Sequence, residues 1–128
     1  MSVELTLLLW AAGLTVVQAV TGVIGATLQV GLPMLAGNRE TPPIIQGWAG
    51  RASRAHRNML ESLVLFAIVI LVAQAMGTTN AMTVLGAQLF FWGRLAYAVV
   101  YLVGIPWVRT GAWGVSLVGL VLIFLQLI

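Results

Sequence analysis

Residues 54–76 read RAHRNMLESLVLFAIVILVAQAM. Every charge in this stretch lies at or before Glu61, and Ser62 to Met76 carry none. A helix that spans a bilayer needs about 20 apolar residues, because the hydrocarbon core is about 30 Å thick. The stretch therefore predicts a spanning helix. It begins near Ser53, a suitable N-cap, with two charged turns at one membrane surface and the remainder in lipid.

Toward the N-terminus, no charge occurs between Glu4 and Arg39. This segment predicts a first span over about 5–32, ended by Gly31-Leu32-Pro33. It does not read as a secretory signal: its apolar run is too long, and Glu4 stands where a basic residue would be. Residues 33–53 (PMLAGNRETPPIIQGWAGRAS) are polar and rich in proline and glycine, the mark of a loop. Beyond Met76, Gly77 to Asn80 predict a short turn, followed by a third span over about 81–103. Gly104-Ile105-Pro106 breaks it, and a fourth span runs over about 110–128. Long unbroken apolar runs exclude a barrel, which needs short alternating segments. The expected fold is an all-α integral membrane protein, a four-transmembrane-helix bundle, with residues 1–128 as one domain.

Composition agrees with this reading. Of 128 residues, 61% are hydrophobic and 7% charged, against roughly 25% charged in soluble domains. The net charge of +3 rests on six arginines scattered among apolar helices, which form no basic stripe and exclude a nucleic-acid partner. Cysteine and lysine are absent, which excludes disulfides, thiolate metal sites and Schiff-base chemistry. One histidine, His56, and three glutamates give no metal-ligand set. Arg39, Arg51, Arg54, Arg57 and Arg109 all fall on the side of loops one and three. By the positive-inside rule those loops face the cytoplasm and both termini face away. A bacterial inner membrane is the expected location.

Some charges are not explained by insertion. Arg94 lies inside span three, where an arginine costs about 2.5–3.5 kcal/mol. It should face a partner or a wet cavity. Tyr97 and Tyr101 share its helix face at i+3 and i+7. On helix two, Arg54, Arg57, Asn58 and Glu61 share another face, and Glu61 is expected to pair with Arg54, Arg57 or Arg94. On span one, Thr15, Gln18, Gly22, Gly25 and Gln29 form a small and polar seam, of the kind that lets helices approach closely in lipid. The seam is either internal or between subunits, and four short helices with little interior point toward an oligomer. Together these groups suit a small ligand with several carboxylates and an amine: arginines fork onto carboxylates, Glu61 meets an ammonium, and a phenol or guanidinium stabilises a ligand thiolate.

The run Arg54-Ala55-His56-Arg57-Asn58-Met59-Leu60-Glu61 resembles the RA-x-x-N-x-x-E signature of the membrane-associated proteins in eicosanoid and glutathione metabolism, the MAPEG family. Residues 90–110, FFWGRLAYAVVYLVGIPWVRT, resemble the family's third helix with its arginine, two tyrosines and trailing arginine. GNRE before helix two and GIPWVRT are similar to the bacterial-type members. The resemblance covers essentially the whole chain. It implies a homotrimer with glutathione held between subunits near the cytoplasmic side. Arg54, Asn58 and Glu61, on the face shared with Arg57, would bind glutathione, and Tyr97 and Tyr101 would contact it. Arg94 matches a family arginine inside the bundle. Arg109, with Tyr97, would activate the thiol. A contact from the neighbouring subunit would come from Arg39 or Arg51.

The activity so implied is that of a glutathione transferase or peroxidase acting on lipophilic electrophiles. The alternative is a non-catalytic module of the same fold, serving a structural, lipid-binding or complex-docking role. It is motivated by Ser62-Leu63-Val64-Leu65-Phe66, which lacks the proline that often follows the family's glutamate. A small four-span multidrug transporter is disfavoured, since span one holds no carboxylate past Glu4.

Overall fold

The computed structural model describes residues 2–37 and 43–128. Arg39, counted above among the loop charges, and Glu40, which ends the GNRE motif, lie outside the described residues. Among the described residues five helices follow in order: α1 (Val3–Val30), α2 (Leu32–Ala36), α3 (Gly47–Met76), α4 (Ala81–Val103) and α5 (Pro106–Leu127). All but the short α2 are long and apolar enough to cross a membrane.

Local chemistry sets most of the boundaries. Ser2 caps α1, its Oγ accepting from the Leu5 N–H at 3.2 Å. α3 ends at Gly77, whose φ of 68° only glycine adopts without strain. Asn80 opens α4 with a capping box. Its side chain accepts from the Met82 and Thr83 N–H groups, and Thr83 Oγ1 accepts from the Asn80 N–H.

Two helices begin earlier than the sequence predicts. α3 starts at Gly47 rather than near Ser53, because Gln29 reaches across from α1. Its Nε2 donates to the Gln46 carbonyl at 2.7 Å, and its Oε1 accepts the Gln46 N–H at 3.0 Å. α5 starts at Pro106 rather than near Thr110. Proline lacks an N–H and has a helical φ, so it fits the first turn of a helix. The expected third loop is therefore reduced to Gly104 and Ile105, and Arg109 stands in the first turn of α5.

α4 is the central element. It packs on α1, on α3 and most extensively on α5, whereas α5 touches α3 only lightly. The core gathers Leu7, Ala11, Met59, Phe66, Ile70, Phe90 and Ile123, with the rings of Phe66 and Phe90 stacked at 4.0 Å. Close approach relies on small residues, as expected in lipid. A Cβ on Gly86 would lie 2.6 Å from the Gly119 carbonyl oxygen, and one on Gly25 would lie 2.5 Å from the Ala49 Cβ. The polar seam of span one is thereby placed inside the subunit, since Gly22 faces Ser53, Gly25 faces Ala49 and Gln29 holds Gln46. It needs no neighbouring copy to account for it.

The arginines Arg51, Arg54, Arg57 and Arg109 stand at one end of the bundle. The far end is tied by neutral polar contacts, Gln74 to Ser2 and Asn80 to Gln126. Glu4 joins it there, almost fully buried and accepting from Thr83 Oγ1 at 3.1 Å.

Candidate functional site at the arginine end

The first four turns of α3, the last three of α4 and the first three of α5 converge at the arginine end. Arg94, Tyr97 and Tyr101 are on one face of α4, as their spacing predicts, and the rings of the two tyrosines meet edge to face at 5.4 Å. Arginines stack on both. The Arg94 guanidinium lies 4.2 Å from the Tyr97 ring centre, and that of Arg109 lies 4.6 Å from the Tyr101 ring centre. Such stacking is electrostatically favourable, most of all away from water. α5 brings Arg109 there only because it begins at Pro106.

Two arginines of α3 are engaged by α4. Arg54 Nε donates to the Tyr101 hydroxyl at 3.1 Å, and Arg51 Nε donates to the Leu102 carbonyl at 3.1 Å. Arg57 and Glu61 remain exposed on α3. The pairing expected between Glu61 and an arginine does not form among the described residues. Arg54 is turned toward Tyr101 instead, and Arg94 has no hydrogen-bond partner among the described residues, only the Tyr97 ring.

Arg94 is the outstanding feature. Its residue exposure is 1%, and none of its three guanidinium nitrogens has a hydrogen-bond partner. The Asn58 Oδ1 is likewise buried and unpartnered. Two cavities adjoin Asn58. One, of about 200 Å³, is lined by Asn58, Tyr97, Arg109, Thr110 and Trp113. The other, of about 170 Å³, has Asn58, Glu61 and Ser62 from α3 facing Trp113 and Ser116 from α5. The site is thus a polar hollow and a largely apolar one between α3, α4 and α5, meeting at Asn58, whose buried oxygen lacks a partner.

Trp113, Ser116 and Thr110 were not among the residues singled out from the sequence. The signal was present: Arg109, Trp113 and Ser116 stand at i, i+4 and i+7, one face of α5. It becomes visible only once Arg109 is known to be helical.

Residues 3–128 match the sequence model of the MAPEG family. The chain belongs to the MAPEG family. No curated protein and no solved structure matches it. Membership and the four long apolar helices together make this an integral membrane protein of the glutathione and eicosanoid metabolism family. In this MAPEG chain the signature residues Arg54, Asn58 and Glu61 occupy successive turns of α3: Asn58 lines both hollows and Glu61 the second, while Arg54 lines neither and bonds the Tyr101 hydroxyl. The family's use of glutathione gives the chemistry against which they are weighed below.

Proposed function

We propose that the chain is a glutathione-binding membrane transferase or peroxidase acting on lipophilic electrophiles. The observation that carries this reading is Arg94. A buried cation with three unpartnered nitrogens is costly. It stacks on Tyr97, which lines a cavity also lined by Asn58, itself holding an unpartnered oxygen. A ligand bearing carboxylates and amides supplies what both lack.

The residues fit glutathione by chemistry. Arg54 and Arg57 would meet its carboxylates, with Arg51 beside them, Asn58 its amides, and Glu61 its ammonium. Tyr101 would position it against the end of α4. Glutathione supplies a thiol that adds to an electrophilic carbon or reduces a peroxide. Tyr97 and Arg109 both line the cavity of about 200 Å³. There a phenol and a guanidinium would donate to the sulfur and hold it as thiolate, the reactive form. The apolar wall that Phe90, Leu117 and Leu120 add to the second hollow suits a lipophilic co-substrate.

In this reading the protein acts as a homotrimer. Support comes from Arg57 and Glu61, which are exposed in a single subunit and would be closed over by a facing copy. In this reading the arginine end faces the cytoplasm of a bacterial inner membrane, and the clustering of arginines there supports that orientation through the positive-inside rule.

A second reading, a non-catalytic module of the same fold, is favoured by Arg51 and Arg54, which already join α3 to α4. One experiment separates the two: calorimetric titration of the detergent-purified protein with reduced glutathione and with its S-hexyl conjugate. Binding near one ligand per subunit, lost in Glu61→Ala, is the expected result. No binding at millimolar ligand, with the oligomer intact, would replace the transferase reading by the structural one.

A further inference from the structure

The seam between α1 and α4, on the side of α4 away from Tyr97 and Tyr101, holds two cavities in succession. Toward the far end, a hollow of about 360 Å³ lies among Leu7, Trp10, Gln88 and Trp92. Toward the arginine end, one of about 190 Å³ lies among Leu14, Gln18, Ala98 and Val99, floored by Ala52 and Ala55 of α3. Leu14 is one turn beyond Trp10 on α1, and Leu95, in the second hollow, is one turn beyond Trp92 on α4. The two hollows therefore follow the same pair of helices down the bundle. Nearly everything that lines the second is aliphatic.

Besides Thr21, Gln18 is the exception. Its exposure is 7%, and its Oε1 is buried without a hydrogen-bond partner. A primary amide in hydrocarbon with an unmet acceptor is unfavourable by about 1–3 kcal/mol. Nothing on α3 or α4 in that hollow offers a side-chain donor, since Ala52, Ala55, Leu95, Ala98, Val99 and Leu102 are all apolar. Thr21, the other polar residue there, already donates to the Val17 carbonyl. Turning the amide about its last bond exchanges its oxygen for its NH2, so the group that best satisfies it both donates and accepts. Among groups carried by lipophiles, the smallest that does both is a hydroxyl. Trp10, in the first hollow, stands eight residues or about 12 Å from Gln18 along α1, a distance that suits an alkyl chain.

We infer that the α1–α4 seam is a binding site for a long-chain lipophile bearing an aliphatic hydroxyl, with the hydroxyl on Gln18 and the chain running toward Trp10 and Trp92. This site is separate from the hollows at Asn58 and does not depend on the glutathione reading.

The test uses the bromine-tipped alkanol 12-bromododecan-1-ol, with 1-bromododecane as the probe lacking the hydroxyl. Bromine quenches tryptophan on contact. Of five tryptophans, Trp10 and Trp92 border the seam, and Trp48, Trp107 and Trp113 are replaced by phenylalanine so that only the seam is read. The expected result is saturable quenching by the alkanol at about one tenth of the concentration that 1-bromododecane needs, the advantage of one buried hydrogen bond. Gln18→Leu should remove that advantage, and Ala98→Phe, which keeps the amide but fills the hollow, should weaken both probes. Equal quenching by the two probes, or unchanged quenching in both variants, would overturn the inference. So would dissociation of the oligomer in Ala98→Phe, which would show that a second copy covers the seam.

Discussion

Arg94→Met separates a functional from a structural account of the buried arginine. In the wild type the guanidinium is 1% exposed, lacks any hydrogen-bond partner and stacks on Tyr97 at 4.2 Å. An arginine at this depth costs about 2.5–3.5 kcal/mol, and a desolvated cation–π contact returns about 2 kcal/mol. The balance is a net burden of about 1 kcal/mol in the absence of ligand. Methionine removes both contributions and fills most of the same volume with a flexible apolar chain. The ligand-free variant should therefore be more stable than wild type by about 1 kcal/mol, which for a chain of this size raises the unfolding midpoint by roughly 3–5 °C. Ligand should reverse the order. Glutathione at a hundred times its dissociation constant stabilises the wild type by about 2.7 kcal/mol, and the variant should lose most of that gain. The assay is thermal unfolding in detergent followed by tryptophan fluorescence, with and without glutathione. A lower midpoint for ligand-free Arg94→Met would refute the reasoning, because it would mean that the guanidinium is paired across subunits and holds the assembly together. An undiminished ligand-induced shift in the variant would refute the role of Arg94 in binding.

Two further changes probe the frame around the site. Gly119→Ala would bring a Cβ to within 2.7 Å of the Phe90 amide nitrogen and against the Gly86 carbonyl oxygen. Backbone cannot yield as a side chain does, so α5 must move off α4, at about 1–3 kcal/mol. Circular dichroism melting should show the loss, while Gly111→Ala, which faces open space, should match wild type. At the far end, Thr83→Val removes the hydroxyl that donates to the buried Glu4 carboxylate. A loss of about 1–3 kcal/mol is expected, with glutathione affinity measured at a permissive temperature unchanged, because the contact is remote from the arginine end.

Much of the site could be read in advance because it is local. Arg94, Tyr97 and Tyr101 share a face by helical spacing alone, as do Arg54, Asn58 and Glu61, and the structure keeps both faces. The partner of each charge was not legible. Glu61 stands within reach of helix-mates in sequence, yet Arg54 donates to Tyr101, 47 residues away, and Glu61 is left at the mouth of a hollow. In the sequence Glu4 does no more than mark where the uncharged first span begins. It is buried, because Thr83, 79 residues later, offers it a hydrogen bond.

Hydropathy and charge placement determined, from the sequence alone, that four apolar helices cross a bilayer, since insertion depends on the apolar length of each segment and little on its neighbours. Tertiary structure decided what depends on two segments at once. Gln29 holding Gln46 sets where α3 starts, Gly86 against Gly119 sets how closely α5 lies on α4, and the packing of α3, α4 and α5 leaves the Arg94 nitrogens and, beside a cavity, the Asn58 oxygen without hydrogen-bond partners. Close packing and hydrogen bonding act over a few ångströms between residues far apart in the chain. A periodic pattern specifies the face on which a residue stands, and only the fold specifies what stands opposite.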